Sequence, residues 1–248
     1  MTYRVSVHLP SVRLASHLNA LIHRAMSAEV AAHEIIEPDV AHHVIDSDQR
    51  LGLEPLSAHP LESALPALRM AERDSWALAL PVPGVLGPLR GPRGFNEAAL
   101  EAGEAVIGVT AGVGLVPTRV GPAVQWRVFA AERPFPTLTP YDAERALNEV
   151  VLEAAAALTD LQVAAGTRPR EERSLRLAPG YPSRQLATAE RAARLLRAAD
   201  AALADDGGAI SAFEADRRGM VLRRLRTAAS DALCAAVSFP PGPQSSVG

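Results

Sequence analysis

The stretch Gly103-Glu-Ala-Val-Ile-Gly-Val-Thr-Ala-Gly-Val-Gly-Leu-Val-Pro-Thr-Arg-Val-Gly-Pro-Ala-Val-Gln-Trp-Arg-Val-Phe-Ala130 decides the fold. Glu104 to Thr110 is short and β-branched, as a half-buried strand prefers. Thr110-Ala-Gly-Val-Gly114 is a glycine-rich break. Leu115–Val120 and Val124–Ala130 then form an extended pair around Gly121-Pro122, a turn dipeptide. Trp126 and Val128 alternate onto one face; Phe129 on the other face breaks a clean polar alternation.

A long helix follows, and its start is the best-marked boundary in the chain. Thr139-Pro-Tyr-Asp142 offers an N-cap hydroxyl, a proline at the first helical position and a carboxylate at the third. Leu147, Val150, Val151, Ala154, Leu158 and Leu161 recur at helical spacing, and Gly166 is a natural stop. About 25 residues make a rod of roughly 37 Å, enough to cross a whole sheet.

Outward from this centre, Tyr3, Val5 and Val7 alternate as a first strand, and Ser11–Ile36 has helical periodicity up to Pro38. Asp39–Asp48 is ambiguous between helix and strand, and Leu53–Pro60 is a connection. Leu61–Arg73 has the pattern of a short helix weakened by Pro66; Ser75–Leu80 is a strand; and a helix opens at Asn96 after a Pro/Gly loop. C-terminal to Gly166, Thr167–Arg184 is a connector, Leu186–Ala204 a helix and Asp205-Asp-Gly-Gly208 a turn. Ser211-Ala-Phe-Glu214 is a capping box for the last helix, which runs to Pro240. Gly219 inside that helix costs about 1 kcal/mol against Ala and hints at close approach of another helix.

The expected fold is α+β: an antiparallel sheet covered by the helices Ser11–Ile36 and Tyr141–Ala165, with a C-terminal α-helical hairpin. The expected division is an α+β domain over 1–166, a connector over 167–185, a hairpin over 186–239 packed on that domain or on a partner, and a disordered tail over 240–248. The hairpin's Ala-rich seam suits a homodimer or partner interface as well as an intramolecular core.

All 25 basic residues are Arg. The absence of Lys removes the P-loop lysine, the Schiff-base lysine for pyridoxal phosphate and the kinase lysine. One cysteine, Cys234, excludes an internal disulfide and a multi-Cys zinc site, and its apolar helical setting is that of a buried thiol. No apolar run approaches a membrane span, and the N-terminus lacks the pattern of a secretory signal, so the cytoplasm is the expected compartment.

The segments Asp205-Asp-Gly-Gly-Ala-Ile-Ser-Ala-Phe-Glu-Ala-Asp216, Trp76-Ala-Leu-Ala-Leu-Pro81 and Gly94-Phe-Asn-Glu-Ala-Ala-Leu-Glu-Ala-Gly103 resemble a family of uncharacterised proteins of high-GC bacteria. The likeness covers most of the chain. It implies no activity and assigns no residue a role.

The seven histidines all lie between His8 and His59. The densest cluster supplies a candidate divalent-metal set of His33, Glu37, Asp39, His42 and His43, ligand types that suit zinc, manganese or iron. His33 and Glu37 share a helix face at i, i+4, but Glu37 stands where HExxH requires histidine. The competing reading is a solvated helix end. In Leu89-Arg-Gly-Pro-Arg-Gly-Phe-Asn96, Asn96 can cap a helix, with Arg90 and Arg93 beside its free N–H groups as a candidate anion site. The competing reading is a solvent loop.

Gly108-Val-Thr-Ala-Gly-Val-Gly114 is not a nucleotide loop, since no helix follows it. Arg168–Arg226 carries 13 Arg against 8 acids, yet no recognition fold or stacking aromatics accompany it, so nucleic acid is not the expected partner. The sequence leans away from an enzyme and towards a non-enzymatic, self-associating protein-interaction module. The alternative is a metal- or anion-binding enzyme or small-molecule binder using one of the two candidate sites.

Overall fold

The computed structural model describes residues 9–161, 175–204 and 212–238. Within them the elements run α1 (Pro10–Ile22), α2 (Ala28–Ile36), β1 (His42–Ile45), β2 (Ala58–Pro60), α3 (Leu61–Ala71), β3 (Trp76–Ala79), α4 (Arg93–Ala102), β4 (Ala105–Gly108), β5 (Val113–Val120), β6 (Ala123–Ala130), α5 (Pro140–Asp160), α6 (Ser183–Leu203) and α7 (Ala212–Ser238). This is an α+β protein. The strand expected at Tyr3–Val7, the capping box at Ser211, most of the connector and the tail lie outside the described residues.

The six strands form one sheet in the order β2-β1-β6-β5-β4-β3. The expected hairpin is its centre: Val113 pairs with Ala130 and Val120 with Ala123, leaving Gly121-Pro122 as a two-residue turn. Gly121 has φ +59°, a conformation that costs glycine nothing. The sheet departs from a purely antiparallel one at a single pair. The ambiguous segment after Asp39 becomes β1, which lies parallel to β6 with Val44 opposite Trp126. β2, inside the expected connection, adds an antiparallel edge.

Phe129 breaks the polar alternation because both sheet faces are covered. On its side, Phe95 and Ala99 of α4 pack with Ala105, Ile107 and Val116. The Phe95 and Phe129 rings stand 6.0 Å apart. A Cβ on Gly114 would fall 2.4 Å from the Phe95 ring, so that glycine makes room for the aromatic.

The expected helix Ser11–Ile36 is broken. Arg24 takes φ +56°, and Ser27 restarts the chain as an N-cap accepting from the Val30 amide at 3.3 Å. Apolar periodicity hides the break because Ala25 and Met26 are packed against Ala20, Ala178 and Tyr181. The open edge of β3 is closed by a buried amide. Asn19 accepts from the Trp76 N–H at 2.7 Å and donates to its carbonyl at 3.0 Å. Asn19 and the Tyr181 hydroxyl also both donate to the Val237 carbonyl, and the Leu78 N–H donates to Ser238 Oγ. These side chains replace the neighbour strand that an edge otherwise recruits.

The chain divides into two units, one of 9–137, 176–183 and 237–238, the other of 138–161, 184–204 and 212–236, with 175. The first carries the sheet and α1–α4. The second is helical: α5 is grouped with α6 and α7, so the boundary falls at 137/138 and not at the expected 166. In the helical unit Thr139 caps α5 as expected, accepting from the Asp142 N–H at 3.1 Å. Small residues are buried on all three helices: Ala154 on α5, Ala189, Ala192 and Ala193 on α6, and Ala229 and Ala232 on α7. Ion pairs bind the three together: Arg184 with Glu144, Arg224 with Glu153 and Arg226 with Asp200, each at 2.6 Å. Gly219 does not mark a close helix approach; the atoms nearest its absent Cβ belong to Arg223, one turn on.

Candidate functional site

The densest histidine–carboxylate cluster folds into a closed polar network. The loop before β1 contains a cis Glu37–Pro38 bond, and the Val40 N–H donates to the Pro122 carbonyl at the hairpin tip, 3.0 Å away. Asp39 is thereby set beside β1. Its carboxylate accepts from His42 Nε2 at 3.0 Å, from Arg119 of β5 at 3.1 Å and from Arg13 of α1. Arg13 also donates to the Glu37 carbonyl.

The other imidazole nitrogen of His42, Nδ1, faces Trp126 Nε1 at 3.2 Å. The indole can only donate, so Nδ1 is the acceptor and the His42 proton sits on Nε2, pointing at Asp39. Burial disfavours the imidazolium and outweighs the pull of Asp39, so His42 titrates below its ordinary range. Asp39 also feels burial, but the bonds from His42, Arg13 and Arg119 outweigh it and keep its carboxyl below the usual range. A neutral histidine and an ionised aspartate therefore coexist at neutral pH; both ring nitrogens of His42 are engaged, and the Asp39 carboxylate already accepts three bonds.

The five candidate metal residues do not assemble. Only Asp39 and His42 meet. His33 is exposed on α2, Glu37 contributes only its carbonyl, and His43 is the strand neighbour of His42, so its side chain leaves from the opposite face. Among the described residues no three His, Cys, Asp or Glu side chains are grouped to hold a metal ion. Arginines take the coordination positions that a metal would need at Asp39.

The candidate anion loop is also internally occupied. Pro92, not Asn96, is the N-cap of α4. Asn96 lies within the first turn and reaches back to the Gly91 carbonyl at 3.4 Å, because Pro-Arg-Gly-Phe already enters the helix. Arg90 pairs with Glu132 at 3.3 Å and lies over the Phe135 ring; Arg93 pairs with Glu97 at 2.6 Å. These contacts leave the two guanidinium groups facing carboxylates of their own chain.

Three further carboxylates are buried: Asp46, which belongs to the densest histidine–carboxylate group of the sequence, and Glu72 and Glu104, which the sequence does not single out. Asp46 accepts from the amides of Arg50, Leu51 and Leu53 and shapes the loop after β1. Glu72 accepts from the Asp74, Thr110 and Ala111 amides and the Thr110 hydroxyl. The glycine-rich break at 108–114 thus does bind an anion, the chain's own Glu72. Burial opposes ionisation of Glu72, but the Thr110 hydroxyl and the three amides outweigh it and hold its carboxyl low. Glu104 accepts from the Ser11 N–H at 2.9 Å, at the start of α1. Burial pushes its carboxyl up to about 7, against the opposing pull of Ser11, Arg119 and Arg13. The local signal for Asp46 is an Asx residue opening a polar loop; Glu104 has none, and Glu72 has only the nearby Asp74 amide, since their other partners lie 38 or more residues away.

Among the described residues no helix is long and apolar enough to cross a membrane. No curated protein and no solved structure matches the chain. Two family models do: the N-terminal domain of Rv1486c-like protein over residues 11–143 and its C-terminal domain over 141–234, overlapping a few residues after the 137/138 boundary of the structural units. The family description names no activity. Matched across both its domains, the chain belongs to the Rv1486c-like protein family.

Proposed function

We propose that this protein is a non-enzymatic, self-associating interaction module of the bacterial cytoplasm. The observation that carries the reading is a contrast between its polar and apolar groups. The side chains with chemical capacity, His42, Asp39, Asp46 and Glu72, are each engaged by internal partners. The helical unit, by contrast, leaves large apolar side chains in solvent: Tyr141, Leu152, Phe213 and Met220 are all more than half exposed. Such residues are the usual material of an interface core. The lysine-free, Ala- and Arg-rich composition supports an origin in a high-GC genome.

Native mass spectrometry of the purified, untagged chain tests this directly. The expected result is a dimer or higher oligomer whose subunit mass equals that of the polypeptide. A subunit carrying a stoichiometric ion or small anion would overturn the reading in favour of a ligand-binding protein.

A further inference from the structure

Two exposed helical stripes of the helical unit carry opposite charge. On α7, Phe213, Arg217, Met220 and Arg224 recur at i, i+4, i+7 and i+11, one face of a helix, and all four are exposed. On α5, Tyr141, Arg145, Glu149, Leu152 and Ala156 likewise follow one exposed face, with Glu153 beside it. Phe213, Met220 and Leu152 are 69%, 60% and 72% exposed, high values for side chains of this size.

The exposed ionic residues of α7 between Phe213 and Arg224 are Asp216 against Arg217, Arg223 and Arg224; those of α5 are Arg145 against Glu149, Glu153 and Asp160. One stripe is basic and the other acidic. The Arg224–Glu153 contact at 2.6 Å places them side by side on one surface.

A surface with a basic half and an acidic half, each around an apolar centre, satisfies itself when a second copy is turned by a two-fold rotation. We propose that a second copy of this chain docks here, α7 of each copy lying on α5 of the other. The Arg224–Glu153 contact fixes the register: Arg217 of one copy then faces Asp160 of the other, and Met220 covers Ala156. The proposal rests on the self-association reading and names its surface. Each contact occurs twice in such a dimer, which doubles in free energy the effect of any single substitution.

The test is a charge exchange in the full chain, read by sedimentation velocity over a concentration series, with circular dichroism and thermal melting as folding controls. Arg217→Glu and Asp160→Arg are each expected to weaken dimerisation about tenfold while the melting of the chain is unchanged. The double variant Arg217→Glu/Asp160→Arg is expected to return close to wild-type affinity, and Met220→Asp to give a monomer that still melts cooperatively. A wild-type dimer indifferent to these substitutions would overturn this surface and leave self-association standing. Weakening by both single variants without recovery in the double would overturn the pairing of α7 with α5. A wild-type chain that stays monomeric would overturn both.

Discussion

His42 illustrates how a residue of catalytic type is turned into a structural one. Its Nδ1 accepts from Trp126 and its Nε2 donates to Asp39, so the neutral ring is the form the fold requires. The sign of the pH dependence follows. Because the folded-state value lies below the ordinary 6.5, the stability that His42 contributes is complete above about 6.5 and is lost as pH falls through the lower folded value. Asp39 is likewise held below its usual range, where the bonds from His42, Arg13 and Arg119 outweigh its burial. On acidification the indole N–H resonance of Trp126 should shift with the His42 titration, whereas that of Trp76, whose Nε1 has no hydrogen-bond partner, should not. Two resonances moving together above the unfolding transition would contradict this assignment. Glu104 has the opposite sign. Its carboxyl is raised from 4.5 to about 7, so charge on it costs nothing below 4.5 and costs most above 7. Glu104→Gln should stabilise the protein in mildly alkaline buffer, by on the order of 3 kcal/mol at most, and the gain should vanish in acid. Urea titrations at the two pH extremes measure it; equal stability changes at both would refute it.

Loops and edges in this protein are held by side chains from elsewhere in the chain. Replacing Glu72 by Ala orphans the Thr110 and Ala111 amides and the Thr110 hydroxyl in the 108–114 turn, and the Asp74 amide, and should cost about 2–4 kcal/mol. Asn19→Ala strips the edge of β3 of both its Trp76 bonds, and should lower stability by about 2–3 kcal/mol and raise the tendency to aggregate. Chemical denaturation with light scattering would check both; an Asn19→Ala protein as stable and soluble as wild type would refute the clasp. The sequence made the local features legible. The Thr139 cap, the Gly121-Pro122 turn and the alternation of Trp126 and Val128 involve neighbours only, and all three stand in the structure. What it concealed depends on distant partners: the parallel pairing of β1 with β6, the carboxylate of Glu104 at α1, and the break at Arg24, masked by Ala25 and Met26 packing against the 177–181 segment. The candidate metal and anion sites failed to assemble for the same reason. Arg13, Arg119, Glu132 and Glu97, which occupy them, do not advertise their partners by spacing, except Glu97 at i+4 from Arg93.

For the whole molecule, the α5 boundary matters most. By sequence alone α5 looked like the lid of the sheet, because the long helix follows the hairpin directly. It is grouped with α6 and α7, and the family models overlap at 141–143, in the first turn of the same helix. The helical unit therefore presents a face of α5 beside a face of α7, and this face carries the proposed interaction. Sedimentation velocity of the untagged full chain, from nanomolar to high-micromolar concentration, is the most direct measurement of that claim. Self-association predicts a sedimentation coefficient that rises with concentration to the value of a dimer. A single monomeric boundary at every concentration would contradict it.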